Sequence, residues 1–207
     1  MKGVKKIAKG KIKTIALSEQ QYTEIIQTML NGGGTFRPNR KIATALVLEA
    51  NLGLRVSDIV NLRLCDIVKD GERYRLDVIE QKTNKARTFT VPQSIYSYIQ
   101  SYAIDNNLKK TDLLFPSSTK SPKTPLTTTA IQKHLRIVCD YLGYGDLNIS
   151  THSFRKFYAT RIYENNDYNI VLVQRLLQHS TPAVTQRYIG LGDKDLEKAI
   201  EKNTLLL

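Results

Sequence analysis

Two of the chain's three histidines, His152 and His179, share one stretch with Arg155 and Tyr188. It reads T-H-S-F-R-K-F-Y-A-T-R, then L-V-Q-R-L-L-Q-H-S-T-P-A-V-T-Q-R-Y-I-G. His152 and Arg155 stand one turn apart on an expected helix, and Tyr188 follows His179 by nine residues. This is a concentration of phosphate-binding and proton-handling groups. A phosphodiester attacked by a protein nucleophile passes through a pentacoordinate state with extra negative charge on its non-bridging oxygens. Fixed cationic donors must meet that charge. A nucleophile must accept the covalent link, and an acid must protonate the departing alkoxide. Arginine suits the first task because its planar fork binds phosphate oxygens in pairs and keeps its charge when buried. Tyrosine, histidine and lysine can supply the rest. Upstream, Arg55 in L-G-L-R and the pair Lys82 and Lys85 between two strand-like segments extend the set.

Taken singly, each residue has a plainer use. Arg55 suits a salt bridge, His152 a helix cap, and His179 the negative end of a helix dipole. Lys82 and Lys85 are ordinary solvated turn lysines, and Tyr188 is one of eleven tyrosines, most of which must pack. The weight of the assignment lies in their combination.

Composition supports a polyanionic partner. Thirty-one Lys and Arg stand against nineteen Asp and Glu, a formal net charge of +12. Six lysines fall within the first thirteen residues with no acid among them. No amphipathic anchor accompanies that basic run, so nucleic acid ranks ahead of a membrane surface. No apolar run approaches the roughly 18 residues of a membrane span, and no apolar segment follows the basic N-terminus as in a secretion signal. Cys65 and Cys139 lack metal or redox spacing and lie among apolar residues, which predicts buried free thiols in a reducing cytoplasm.

The elements that must position these groups follow from local rules. Residues 1–14 form an expected basic arm or linker remnant. Ser18 with Gln21 forms a capping box for a helix over Glu19–Leu30, stopped by Asn31-Gly32-Gly33-Gly34. A second helix runs from near Pro38 to Leu52, apolar on most sides and so expected to be buried, with Gly53 as its left-handed cap. Ser57 is expected to cap a short helix through Leu62, and Arg55 lies in the joint before it. Period-two segments at Tyr74–Ile79 and Arg87–Val91, with a shorter one at Asp66–Val68, predict three strands. Gln81–Ala86 is their polar hairpin turn. Pro92 opens a helix over Gln93–Asn106. Residues 115–126 carry three prolines and read as a loop. Helices at Thr128–Leu142, from Ser150 or Thr151 through Arg155, and at Leu172–Leu177 follow. Thr181-Pro182 is an N-cap with an N1 proline, which places Tyr188 near the end of a short helix. A final amphipathic helix at Asp195–Lys202 leads to Leu205-Leu206-Leu207. The expected fold is α+β, mainly helical, with a small antiparallel three-stranded sheet, as one domain over residues 15–207.

With these elements in place, the sequence resembles the catalytic domain of the tyrosine recombinases, the phage-integrase family, over roughly residues 15–200. L-G-L-R-V-S-D-I-V-N-L-R-L-C-D-I is similar to the family's first arginine box, through Arg55 and the supporting acid Asp58. The strand–turn–strand with Lys82 is similar to its β-hairpin lysine, with Lys85 as the neighbouring alternative. T-H-S-F-R-K-F-Y-A-T matches the H-x-x-R box through His152 and Arg155. L-L-Q-H-S-T-P-A-V-T-Q-R-Y resembles the closing box, with His179 as second histidine and Tyr188 as nucleophile. The resemblance implies attack by Tyr188 on the scissile phosphate of double-stranded DNA, giving a 3′-phosphotyrosyl link and a 5′-hydroxyl. It implies phosphate binding by Arg55, Arg155 and His179, handling of the tyrosine proton by His152, and protonation of the leaving oxygen by Lys82. It also implies a homotetramer on DNA, no cofactor, no membrane partner and a cytoplasmic site of action. Two departures accompany it. Gln178 stands where the family usually has glycine, and only a short basic segment precedes the catalytic fold where larger recombinases carry a core-binding domain. The chain is therefore expected to be either a fragment or a minimal form. A type IB topoisomerase-like nicking–closing enzyme and a catalytically silent DNA-binding regulator are the alternatives.

Overall fold

The computed structural model describes residues 14–79, 81, 86–118 and 121–190. The basic arm through residue 13, both turn lysines (Lys82 and Lys85), the expected last helix and the leucine tail lie outside the described residues. Helix α1 (Glu19–Asn31) opens as its sequence requires. The Gln21 N–H donates to Ser18 Oγ at 3.1 Å and the Ser18 N–H donates to Gln21 Oε1 at 2.9 Å, so two orphan donors are satisfied reciprocally. Helix α2 (Arg40–Leu52) starts at an Asn39 cap and ends at Gly53. Nine of its thirteen residues are buried, which makes it the central rod of the molecule.

Gly53 adopts φ 63°, ψ 18°, and a Cβ built there would lie 2.4 Å from Cε1 of Tyr158. Both the left-handed backbone and the close approach of Tyr158 therefore demand glycine. The tight exit sends Leu54 into the core and leaves Arg55 at the N-cap of the short α3 (Val56–Ile59). Ser57, expected to cap this helix, lies one residue inside it. The helix begins earlier because the sharp turn at Gly53 releases the chain into helical geometry at Val56.

After a 3₁₀ turn (Leu64–Asp66), strands β1 (Ile67–Asp70), β2 (Arg73–Ile79) and β3 (Ala86–Val91) form an antiparallel sheet in the order β1-β2-β3. Leu76 pairs with both Ile67 and Phe89, and is fully buried towards the helices. Helix α4 (Gln93–Asp105) follows Pro92. Within 115–126, expected as loop, Pro116–Ser118 (β4) instead pairs with Ser121–Pro125 (β5) as a two-stranded ribbon. Both strands of a ribbon are edges, where a residue without an N–H is tolerated; Pro116 and Pro125 sit opposite each other where the register is irregular. Helices α5 (Thr128–Tyr141), α6 (Thr151–Glu164), α7 (Ile170–Leu177) and α8 (Pro182–Ile189) complete the described chain.

One large apolar core joins α1–α6 to the sheet, while a small satellite of Ala159, Val173 and Leu177 carries α7 and α8. Helix α6 belongs to both, with Phe154 and Phe157 in the first and Ala159 in the second. Tyr22 of α1 stacks on Phe157 at 4.8 Å and 18°, fixing that end of α6. Of the two cysteines, Cys139 is buried as expected and Cys65 is exposed. The 3₁₀ turn at Leu64–Asp66 rotates Cys65 outward, which its apolar neighbours in sequence do not reveal. Among the described residues, no helix is long and apolar enough to cross a membrane.

Candidate active site

Five of the six expected site residues fall among the described residues, and they arrive on separate elements. Arg55 stands at the joint of α2 and α3, His152 and Arg155 on the first turns of α6, His179 just past α7, and Tyr188 near the end of α8. The one-turn spacing on α6 gives its two members different environments: His152 is exposed and Arg155 is only 3% exposed. Arg55 and His152 share the wall of an open cavity of about 830 Å³, whose α5 side presents Gln132, Lys133 and Arg136.

Arg155 is held where it can meet an anion. Its Nη2 donates to the carbonyl of Leu177 at 3.4 Å, at the negative end of α7 where helix carbonyls lack internal donors. It also lies beside the Tyr188 hydroxyl, and its charge lowers that group's pKa. Desolvation outweighs this and pushes the phenol up to about 12, with the charge of Glu49 adding to the rise. At neutral pH the phenol is therefore protonated, and attack requires removal of its proton.

His179 packs edge-on against the Tyr188 ring, with centroids 5.1 Å apart at 72°. Its Nδ1 lies 3.1 Å from Oγ1 of Thr185, a fully buried hydroxyl on α8. Burial first, then the charges of Arg155, Arg55 and Arg87, lower the imidazole to about 4. It is thus neutral near pH 7. In the tautomer protonated on Nε2, the Thr185 hydroxyl donates to Nδ1 and Nε2–H is available to an anionic oxygen. A histidine surrounded by arginines serves as a neutral donor and adds no further charge to the site. Lys156 places its Nζ 5.7 Å from the Tyr188 ring centroid, a contact within cation–π range.

Asp58 is 4% exposed, and its Oδ1 accepts from the Gln81 N–H at 3.1 Å. It thereby ties the root of the hairpin to α3, one residue before Lys82. Gln178 takes the left-handed conformation at the end of α7, φ 52°, ψ 44°. The family's usual glycine fits such a position without cost, whereas a side chain there carries roughly 1–2 kcal/mol of strain.

Two residues of the site are not evident from the sequence. Glu49 on α2 is fully buried, and desolvation raises its carboxyl well above 4.5 despite the Arg155 charge and the Val56 N–H. Within an otherwise apolar helix it reads as part of a packing face; its signal is an acid at a position with no solvent side. Arg87 on β3 is 7% exposed, and its Nη1 donates to Leu177 O at 3.2 Å. Period-two alternation sets it on the inward face with Phe89 and Val91, and that placement is the signal that could have found it.

Comparison with known proteins places this arrangement. The profile described as "Phage integrase family" matches residues 16–194. "Probable integrase/recombinase YoeC" of Bacillus subtilis is 30% identical over 186 residues, covering 89% of this chain and 93% of that protein. "Tyrosine recombinase XerA" of Pyrococcus furiosus is 28% identical over 193 residues, covering 92% of this chain but 62% of that protein. Among solved structures, a XerH site-specific recombinase bound to palindromic difH substrate in a post-cleavage complex superposes with a TM-score of 0.67. It is 18% identical, over 90% of this chain and 52% of that one, so the likeness is one of fold.

Proposed function

The chain belongs to the phage integrase family, and from that premise we propose that it is a site-specific DNA recombinase working through a tyrosyl–DNA intermediate. The observation that carries this reading is the meeting of Arg55, Arg155, His179 and Tyr188. They span more than a hundred residues of sequence, yet Arg155 holds the carbonyl of Leu177 two residues before His179, the His179 ring packs on that of Tyr188, and Arg55 stands with His152 on one cavity.

In this reading the Tyr188 oxygen attacks the scissile phosphorus of double-stranded DNA. The P–O5′ bond breaks, leaving a 3′-phosphotyrosine and a 5′-hydroxyl. Arg55, Arg155 and the neutral His179 donate to the non-bridging oxygens, where preorganised donors act most strongly in a water-poor site. The Tyr188 proton, held on a phenol raised to about 12, passes towards His152. Lys82 protonates the departing 5′-oxygen, with Lys85 as the alternative on the same turn. The 5′-hydroxyl of a second duplex reverses the step at a new junction, and the phosphotyrosine conserves the bond energy. Exchange between two duplexes calls for four active subunits, hence a homotetramer on DNA. We place this activity in the cytoplasm, with no cofactor.

The test is a nicked suicide duplex carrying a recombination site, with covalent adduct read on a denaturing gel. The native chain should form adduct and Tyr188→Phe none, a loss of at least about a thousandfold. Adduct persisting in Tyr188→Phe would remove the nucleophile assignment.

A further inference from the structure

Two buried guanidinia converge on one backbone carbonyl. Arg155 reaches Leu177 O from α6 at 3.4 Å, and Arg87 reaches the same oxygen from β3 at 3.2 Å. They are 3% and 7% exposed. Burying a guanidinium costs several kcal/mol in desolvation, and bringing a second beside it adds like-charge repulsion. An apolar residue would fill the Arg87 position more cheaply, so Arg87 is kept for its polar contacts, the Leu177 carbonyl among them.

What it holds is the root of the nucleophile segment. Leu177 is the last residue of α7, and Gln178 turns left-handed immediately after it. His179 follows, its carbonyl accepting from Gln174 Nε2 at 3.1 Å and its Nδ1 paired with Thr185 on α8. The Tyr188 ring packs on the His179 imidazole. A shift of the Leu177 carbonyl therefore moves His179, Thr185 and Tyr188 together. Among the described residues, the apolar satellite beneath them has Ala159, Val173 and Leu177 as its buried side chains, with Tyr158, Ile162, Tyr163, Tyr188 and Ile189 partly buried against them, so polar ties share in fixing the segment to sub-ångström tolerance.

Arg87 also stands beside the hairpin. It pairs with Val78 in register, next to the Ile79–Ala86 pair where the strands part. On the other side of that turn, Asp58 holds the Gln81 N–H. The hairpin root is thus tied twice, to α3 through Asp58 and to α7 through Arg87.

We propose that Arg87 is a positioning residue for strand cleavage, clamping the Leu177 carbonyl so that the His179–Tyr188 segment keeps its place against Arg155 at the phosphate site. The proposal rests on the recombinase reading above for its activity arm, and on the clamp geometry alone for its structural arm.

The experiment compares Arg87→Met, which keeps the stem and loses the donor, with Arg87→Lys, which keeps a cationic donor. Three quantities are read on the full chain: single-turnover adduct formation on the suicide duplex, Kd for the same duplex, and amide hydrogen exchange over residues 177–188 against α2. Arg87→Met should slow adduct formation roughly 10–100-fold while its Kd stays within about threefold. Exchange over 177–188 should quicken while α2 stays protected. Arg87→Lys should recover to within about fivefold of the native rate. A native rate in Arg87→Met overturns the proposal, as does a Kd loss matching the rate loss, which would make Arg87 a DNA contact. Should Arg87→Met lose α2 protection, Arg87→Gln, a shorter neutral donor, takes its place with the same expectations. If the native chain forms no adduct, the recombinase reading fails. Exchange over 177–188 still decides the clamp, and unchanged exchange in Arg87→Met overturns it.

Discussion

The molecule divides into a heavy region and a light one, and the candidate site straddles their seam. The heavy region, α1–α6 with the sheet, sets Arg55 and Arg155 on a core that buries α2 on nearly every side. The light region, α7 and α8, carries His179 and Tyr188, among the described residues, on three buried side chains, a few partly buried ones and a set of polar ties. Opening free energies within one protein range from near zero to the global value and follow the density of buried contacts. The proposed phosphate-binding groups are therefore built into the more densely packed part, and the proposed nucleophile into the part held by fewer described contacts. The proposed strand exchange is served by that division, because Tyr188 can be set or released while Arg55 and Arg155 stay in place.

The contrast is open to direct attack, most sharply by cavity formation. Leu46, fully buried on α2, should cost about 2–5 kcal/mol as Leu46→Ala and lower the unfolding midpoint of the whole domain. Val173→Ala in the satellite should cost about 1 kcal/mol or less globally and speed exchange only in α7–α8. Chemical denaturation with site-resolved exchange measures both, and equal global losses would dissolve the division. Gly53→Ala comes next. It sets a Cβ against Tyr158 at a left-handed backbone, and should cost about 1–3 kcal/mol. It should also lower adduct formation more than DNA binding, because Arg55 follows two residues later.

The two regions should also respond to pH in opposite directions. His179, lowered to about 4, takes up its proton in the unfolded chain first, near 6.5. Stability linked to the light region is thus present above pH 6.5 and lost as pH falls towards 4. Glu49 is raised well above 4.5, so the unfolded chain releases its proton first. Stability linked to the heavy region falls as pH rises above 4.5, until the folded carboxyl also ionises. Melting curves should show His179→Gln flattening the acid limb and Glu49→Gln flattening the alkaline one; interchange of the two effects would contradict the buried-acid assignment. The smallest expected effect is at Gln178. Replacement by glycine should relieve the strained φ and gain about 0.5–1 kcal/mol, seen as a small rise in Tm, with slower exchange at His179.

Much of the fold is legible in the amino-acid sequence. The capping box at Ser18, the left-handed exit at Gly53 and the N1 proline at Pro182 are local signals, and each element begins or ends where its signal stands. The β4–β5 ribbon is not legible, because its prolines mark a loop and edge strands alike. The spacing of His152 and Arg155 on one helix is legible, but their opposite burial is not. Glu49 stays hidden inside an apolar helix, whereas the alternation of β3 sets Arg87 on the face of Phe89 and Val91 and leaves only its distant partner illegible. Sequence alone determined which residues could do phosphoryl chemistry and which elements carry them, since helix and strand signals act over a few neighbours. Only the tertiary structure decided that α6 closes over α2, so that Glu49 and Arg155 lose their water, and that one carbonyl of α7 receives both guanidinia. Those outcomes depend on contacts between residues 90 positions apart for Arg87 and Leu177, and farther still between α2 and α6, and no local rule spans that distance.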